Sequence, residues 1–181
     1  MDGIIRELIP LFEKANTRFL LEQDKLILSG VSERTLCGSL MIYLQEALKA
    51  TTYSEYYVDV EYNRNNGKVK TIINENIEAI PINCDIIIHS RGENIYQDNL
   101  IALEMKKSSN RKSAKIKDKN RLIALTKDRF DDVWSFDGTS HPDHVCRYGL
   151  GVYYEINAAK KEVYTEYYLR GKLTHTEVLT F

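Results

Sequence analysis

Two short apolar runs, each interrupted by one carboxylate, constrain this chain more than any other feature. The first is Ile82-Asn83-Cys84-Asp85-Ile86-Ile87-Ile88 and the second is Leu100-Ile101-Ala102-Leu103-Glu104-Met105-Lys106. Runs that are apolar on both faces suit central strands covered from both sides. A carboxylate inside such a strand is costly to bury unless a counter-charge or a metal compensates it. The Arg91-Gly92-Glu93-Asn94 turn lies between the runs, so they are predicted to pair as a hairpin that brings Asp85 beside Glu104. Alternation places Leu100, Ala102, Glu104 and Lys106 on one face, with Glu104 and Lys106 about 7 Å apart at ~3.3 Å per residue. Two carboxylates beside an amine offer oxygen ligands to a hard cation and leave the amine free to act on water.

The remaining elements follow from periodicity. Ile4, Ile5, Leu8, Leu11 and Phe12 fall at helical spacing, but Pro10 predicts one kinked helix or two short ones. Ser32 is placed to cap a second helix whose apolar stripe runs Leu36, Leu40, Tyr43, Leu44, Ala47, Leu48. Tyr56 to Tyr62 alternates, with Val58, Val60 and Tyr62 on one face and Asp59 and Glu61 on the other, before the Asn63-Arg64-Asn65-Asn66-Gly67 turn. Lys115 to Thr126 reads as a helix with Ile116, Leu122, Ile123 and Leu125 inward and its cations mostly outward. A polar loop, Asp128 to His144, precedes two aromatic-rich strands, Tyr148 to Ile156 and Val163 to Leu169, joined at Asn157-Ala158-Ala159. The numerous tyrosines, among them Tyr56, Tyr57, Tyr153, Tyr154, Tyr167 and Tyr168, suit strand packing more than base stacking.

Composition narrows the class. A chain of 181 residues with 43% hydrophobic and 28% charged residues is long enough for one core without disulfides. The reading is therefore one domain over 1–181, with a core of about 32–156, a helical extension over 1–30 and a C-terminal hairpin over 148–169. Cys37, Cys84 and Cys146 lie far apart and read as small hydrophobes, neither a disulfide framework nor a zinc site. His141, Asp143, His144 and Cys146 lack regular ligand spacing around Pro142 and read as loop. With no signal-like start and no apolar stretch near the ~20 residues that span a bilayer, a cytoplasmic protein with no membrane partner is expected. Net charge is −1, but Lys106 to Arg129 holds 10 Lys/Arg against Asp118 and Asp128 alone. That stretch is a local basic patch.

The pattern Asp85–x18–Glu104-x-Lys106 on paired strands resembles the active site of the PD-(D/E)XK phosphodiesterase superfamily. The element order from Ser32 to Ile156 is similar to that family's αβββαβ core, a central mixed sheet flanked by helices. The chain also resembles small bacterial stand-alone members that carry Val-Glu-Tyr-Asn-Arg, here Val60 to Arg64, and Asp-Lys-x-Arg-Leu, here Asp118 to Leu122. Cys84 stands where the family often has proline; the ligands are intact, but the string is less specific.

The resemblance implies a restriction-endonuclease-like fold and metal-assisted hydrolysis of nucleic acid, with DNA ranked ahead of RNA and neither singled out by the sequence, in a defence or repair setting by analogy, leaving 5′-phosphate and 3′-hydroxyl ends. Asp85, Glu104 and the Met105 carbonyl would hold Mg²⁺, with Mn²⁺ as a substitute, and Lys106 would orient or help deprotonate the water. Glu33 is a further catalytic and metal candidate; its alternative is a first-turn carboxylate favoured by the helix dipole. Glu61 is either another acidic ligand or a partner for Arg64. Beside such a site Lys107, Arg111, Lys112, Lys115, Lys119 and Arg121 are expected to contact phosphates, although a solvated helix face is the ordinary outcome for such a run. So small a chain would take sequence specificity from a homodimer or a partner protein. The competing reading is a nuclease-like module that binds nucleic acid or protein without cutting.

Overall fold

The computed structural model describes residues 2–65, 68–69, 71–73, 79–81, 83–128 and 147–181. It is a mixed α/β fold in which helices flank a six-stranded mixed sheet. Helix α1 spans Asp2–Glu22, α2 Asp24–Leu28 and α3 Glu33–Leu48. The sheet takes β1 (Tyr57–Val60), β6 (Ile86–His89), β7 (Asn99–Lys107), β8 (Leu150–Asn157), β9 (Glu162–Leu169) and β10 (Lys172–Thr180) in that spatial order. Helix α4 (Lys112–Thr126) lies between β7 and β8 in the chain. Those two strands pair in parallel, and every other neighbouring pair in the sheet is antiparallel. Between β1 and β6 the chain forms two small hairpins, β2 (Arg64–Asn65) with β3 (Lys68–Val69) and β4 (Thr71–Ile73) with β5 (Ala79–Pro81). Among the described residues no helix is long and apolar enough to cross a membrane.

The predicted α3 stripe is buried at every position from Leu36 to Leu48, and Ser32 caps the helix by accepting the Thr35 N–H at 3.2 Å. Helix α1 continues through Pro10 as one helix, the first of the two expected alternatives. Pro10 faces solvent, while Leu8, Leu11, Phe12, Ala15 and Phe19 are buried on the opposite side. Packing on both sides of the proline thus outweighs its one lost backbone bond. On this side of the sheet α1 and α3 cover Val58, Ile86, Ile88, Ile101, Leu103 and Met105. Helix α4 covers the other side, where Leu122 and Leu125 meet Ile87, Ala102 and Tyr153. Gly151 on β8 permits this approach: a Cβ there would come within 2.9 Å of the Thr126 methyl. Cys37 and Cys84 are buried free thiols, as expected.

Four expectations change. Leu100 packs with α1 and α3, away from Ala102, because the β6–β7 register slips between Ile88 and His89 and shifts the alternation. Tyr62 crosses to the α4 side because β1 ends at Val60 and Glu61 takes a left-handed φ of 51°. Ile116 is exposed, not inward. Last, the meander at the C-terminus has a third strand, β10, after the two-residue Arg170-Gly171 turn, both residues at positive φ. β10 is an edge strand with mostly exposed positions, so it lacks the apolar alternation that reveals a strand in sequence. Ile82, the Asp128–His144 loop beyond Asp128 and Cys146 lie outside the described residues.

Most of the tyrosines are core: Tyr153, Tyr154 and Tyr167 are fully buried and Tyr56 and Tyr168 nearly so. Three polar groups converge on Glu166 of β9: Lys119 Nζ at 2.7 Å, the Tyr164 hydroxyl at 2.7 Å and the Tyr168 hydroxyl. Burial pushes the Glu166 carboxyl up, but Lys119, Tyr168 and Tyr164 outweigh it and hold it below its ordinary range. The stabilisation is therefore complete above pH 4.5, the ordinary value, and is lost as the pH falls through the depressed value. Glu166→Leu should lower the unfolding free energy by about 1–3 kcal/mol at pH 7. In urea denaturation the gap from wild type should shrink at pH 3.5; a gap independent of pH would mean that the carboxylate contributes only packing.

Candidate active site

Strand geometry, a helix N-terminus and the sheet-facing side of α4 build the site. The β6–β7 ladder pairs Ile86 with Leu103, so Asp85, one residue before β6, stands across from Glu104. The strand begins later than the sequence pattern predicts, and Asp85 is at its mouth, 25% exposed, not in its middle. Its side chain takes over the ladder there: Met105 N–H donates to Asp85 Oδ2 at 2.7 Å, and the Asp85 carbonyl accepts from Glu61 N–H at 3.2 Å. Glu104 is 1% exposed. Its Oε1 lies 2.5 Å from Arg121 Nη1 of α4.

Alternation on β7 separates the two neighbouring lysines. Lys106 turns to the α4 side, with Nζ 3.0 Å from Asp118 Oδ2, 3.6 Å from Asp85 Oδ2 and 3.7 Å from Glu33 Oε2. The same amine donates to the Met105 carbonyl at 2.9 Å. Lys107 turns to the α3 side and donates to the Gly30 carbonyl at 3.0 Å. Glu33, the first residue of α3, reaches the site through Oε1, which accepts the Lys107 backbone N–H at 2.9 Å. Glu61 pairs through its carboxylate with Arg34 at 2.5 Å, and not with Arg64.

Four carboxylates (Glu33, Asp85, Glu104, Asp118) thus surround two cations (Lys106, Arg121), and with all of them ionised the cluster carries two uncompensated negative charges. Burial, aided by Asp85 and Asp118 and opposed by Arg121, pushes the Glu104 carboxyl up to about 8. Burial likewise raises Asp85 against the pull of Lys106 and of the Met105 N–H. Burial acts to lower Lys106, yet Asp85, Asp118 and Glu33 together hold it above the ordinary lysine range. Donor chemistry fits a hard divalent cation, since Asp85, Glu104 and the Met105 carbonyl all offer oxygen and the cluster holds more carboxylates than cations. Among the described residues, however, no three His, Cys, Asp or Glu side chains already converge as a metal cage. Lys106 and Arg121 occupy the space between the carboxylates.

The basic patch is arranged differently from a solvated face. Lys115 pairs with Glu155 at 2.8 Å, Lys119 with Glu166 at 2.7 Å and Arg121 with Glu104. Arg111 and Lys112 are exposed. Sequence reasoning overlooked Asp118 as a site residue. Its signal was the spacing Lys115, Asp118, Lys119, Leu122, a helical stripe of steps three, one and three that faces the sheet.

Compared with protein-family models, curated proteins and solved structures, the chain finds no match. The site therefore stands on its own geometry. Arg121→Leu should destabilise the chelator-treated protein by less than the about 3–5 kcal/mol usual for a stranded buried charge, because Glu104 can take up a proton. A carboxyl with a raised folded-state value loses stability as the pH rises. Thermal melts should therefore show the deficit growing from pH 6 to pH 9, and a deficit that shrinks over that range would contradict the assignment of Arg121 as the counter-charge.

Proposed function

We propose that this protein is a metal-dependent nuclease of the PD-(D/E)XK type. One observation carries the reading: Asp85, Glu104 and Lys106 meet at one end of the β6–β7 hairpin, with Glu104 and Lys106 on the same face. The order α3, β1, β6, β7, α4, β8, with β8 parallel to β7, supports a restriction-endonuclease-like αβββαβ core.

Asp85, Glu104 and the Met105 carbonyl would hold Mg²⁺, or Mn²⁺ in its place, with Glu33 beside them. When bound, such a cation polarises the phosphate and lowers the pKa of a coordinated water. Lys106, held protonated by its carboxylate neighbours, would orient the attacking water as a donor and offset charge on the phosphate, not remove a proton. Arg111 and Lys112 at the start of α4 are the candidate cations free to meet a nucleic-acid backbone, DNA in the first instance. Sequence specificity would come from a second copy or a partner protein. Two observations favour a second reading, a nuclease-like module that binds without cutting: the Glu104–Arg121 pair and the absence of a preformed cage among the described residues.

The two readings separate on incubation with plasmid, single-stranded DNA and RNA in Mg²⁺, Mn²⁺ or chelator. Asp85→Asn keeps the side-chain shape and removes the charge a cation needs, so it should abolish cleavage with the fold intact; cleavage equal to wild type would sink the assignment. Lys106→Met should slow single-turnover cleavage by something like 10²–10⁴-fold. Lys107→Met should alter turnover little, and a larger loss there would move the chemistry to the other face of β7.

A further inference from the structure

We propose that Asp118, on the sheet-facing side of α4, is the positioning residue that holds the Lys106 ammonium for its part in the reaction, a role that rests on the nuclease reading above. Of the three carboxylates around Lys106 Nζ, Asp118 alone is at hydrogen-bonding distance, 3.0 Å against 3.6 Å for Asp85 and 3.7 Å for Glu33. The other close contact, the Met105 carbonyl at 2.9 Å, belongs to the preceding residue and ties the amine only to its own strand.

Asp118 Oδ2 is out of water and makes no hydrogen bond of good geometry, so the Lys106 ammonium is its compensating charge. Two charges buried in this way hold each other in place, because either one alone is strongly destabilising. Asp118 is braced in turn from its other oxygen: Arg121 Nη2 lies 3.4 Å from Oδ1, while Nη1 of the same guanidinium meets Glu104. Lys106, Asp118, Arg121 and Glu104 thus form one chain of alternating charge. It spans i and i+3 on a helix and i and i+2 on a strand, spacings that keep each pair on one face.

Removing Asp118 would leave Asp85 and Glu33 as the nearest attractors for the ammonium. Asp85 is a carboxylate assigned to the cation, and an ammonium drawn onto it would compete for that ligand. Asp118 therefore separates the two positive charges the site must hold: it keeps the amine over α4 and leaves Asp85 open. It touches no substrate and acts through Lys106. The Asp-Lys-x-Arg-Leu string from Asp118 to Leu122 acquires a physical reading, with Asp118 on the amine, Arg121 on the buried carboxylate and Leu122 in the core beneath them.

The test compares wild type, Asp118→Asn and Asp118→Glu, each as the whole chain, in two assays. In chelator, reductive methylation followed by peptide mass spectrometry reports the reactivity of Lys106; the Asn variant should label several-fold faster than wild type and the Glu variant close to it. In Mg²⁺ with a DNA substrate, the Asn variant should lose kcat on the order of 10²-fold, the scale of a misplaced reacting group, at nearly unchanged KM, with partial recovery in the Glu variant. Unchanged labelling overturns the proposal. So does a loss confined to KM, or a Glu variant as impaired as the Asn variant. A wild-type protein that cleaves neither DNA nor RNA overturns the nuclease reading and the catalytic role with it, while the labelling arm decides independently whether Asp118 holds the amine. Thermal melting checks folding, and Asp118→Ser carries the same expectations should the Asn variant not fold.

Discussion

The Glu104 carboxylate lies almost wholly out of water between β7 and α4, within 2.5 Å of Arg121, and much of the structure on that side of the sheet answers to it. An ionised carboxylate there would cost several kcal/mol if unpaired, and the cation that the covering helix carries at that height opposes that cost. The same constraint recurs along the layer, because β8 and β9 present Glu155 and Glu166 to α4 and the helix meets them with Lys115 and Lys119. Toward its C-terminal end α4 instead buries Leu122 and Leu125 against Ala102 and Tyr153. One helix thus closes the sheet with charge at one end and with apolar contacts at the other.

This division places the clustered charges. The apolar half draws α4 close to the sheet, helped by the absence of a Cβ at Gly151, and that approach brings Asp118 and Arg121 onto Lys106 and Glu104. On the opposite side the N-terminus of α3 delivers Glu33 to the backbone of Lys107. The cluster is therefore clamped between two helices from different layers, and the strand end between them carries Glu104 and Lys106. Rigid elements of this kind hold functional groups more accurately than loops do.

Individual residues show which parts of this were legible in sequence. The α3 stripe, the Ser32 cap, the β6–β7 hairpin and the opposite directions of Lys106 and Lys107 follow from local rules of period and capping, and the structure has them. Leu100 and Tyr62 broke their alternation because a bulge and a left-handed residue each shift the face by one step. The continuity of α1 through Pro10 came from packing at a distance, which no local rule contains. β10 went unread because an exposed edge strand has no buried face to impose a pattern.

The two paired strands, the helix that follows them and the placing of Asp85, Glu104 and Lys106 together were legible in the sequence, because strand alternation and helical period act within a few residues of the chain. What the cations of α4 do depends on the packed fold. A lysine or arginine on a helix reads the same whether it faces water or a carboxylate, and the choice depends on which side chains of β7, β8 and β9 stand opposite it. Those strands lie up to 47 residues away in the chain, as for Lys119 and Glu166. Their register against the helix exists only once the sheet has formed and α4 has packed upon it.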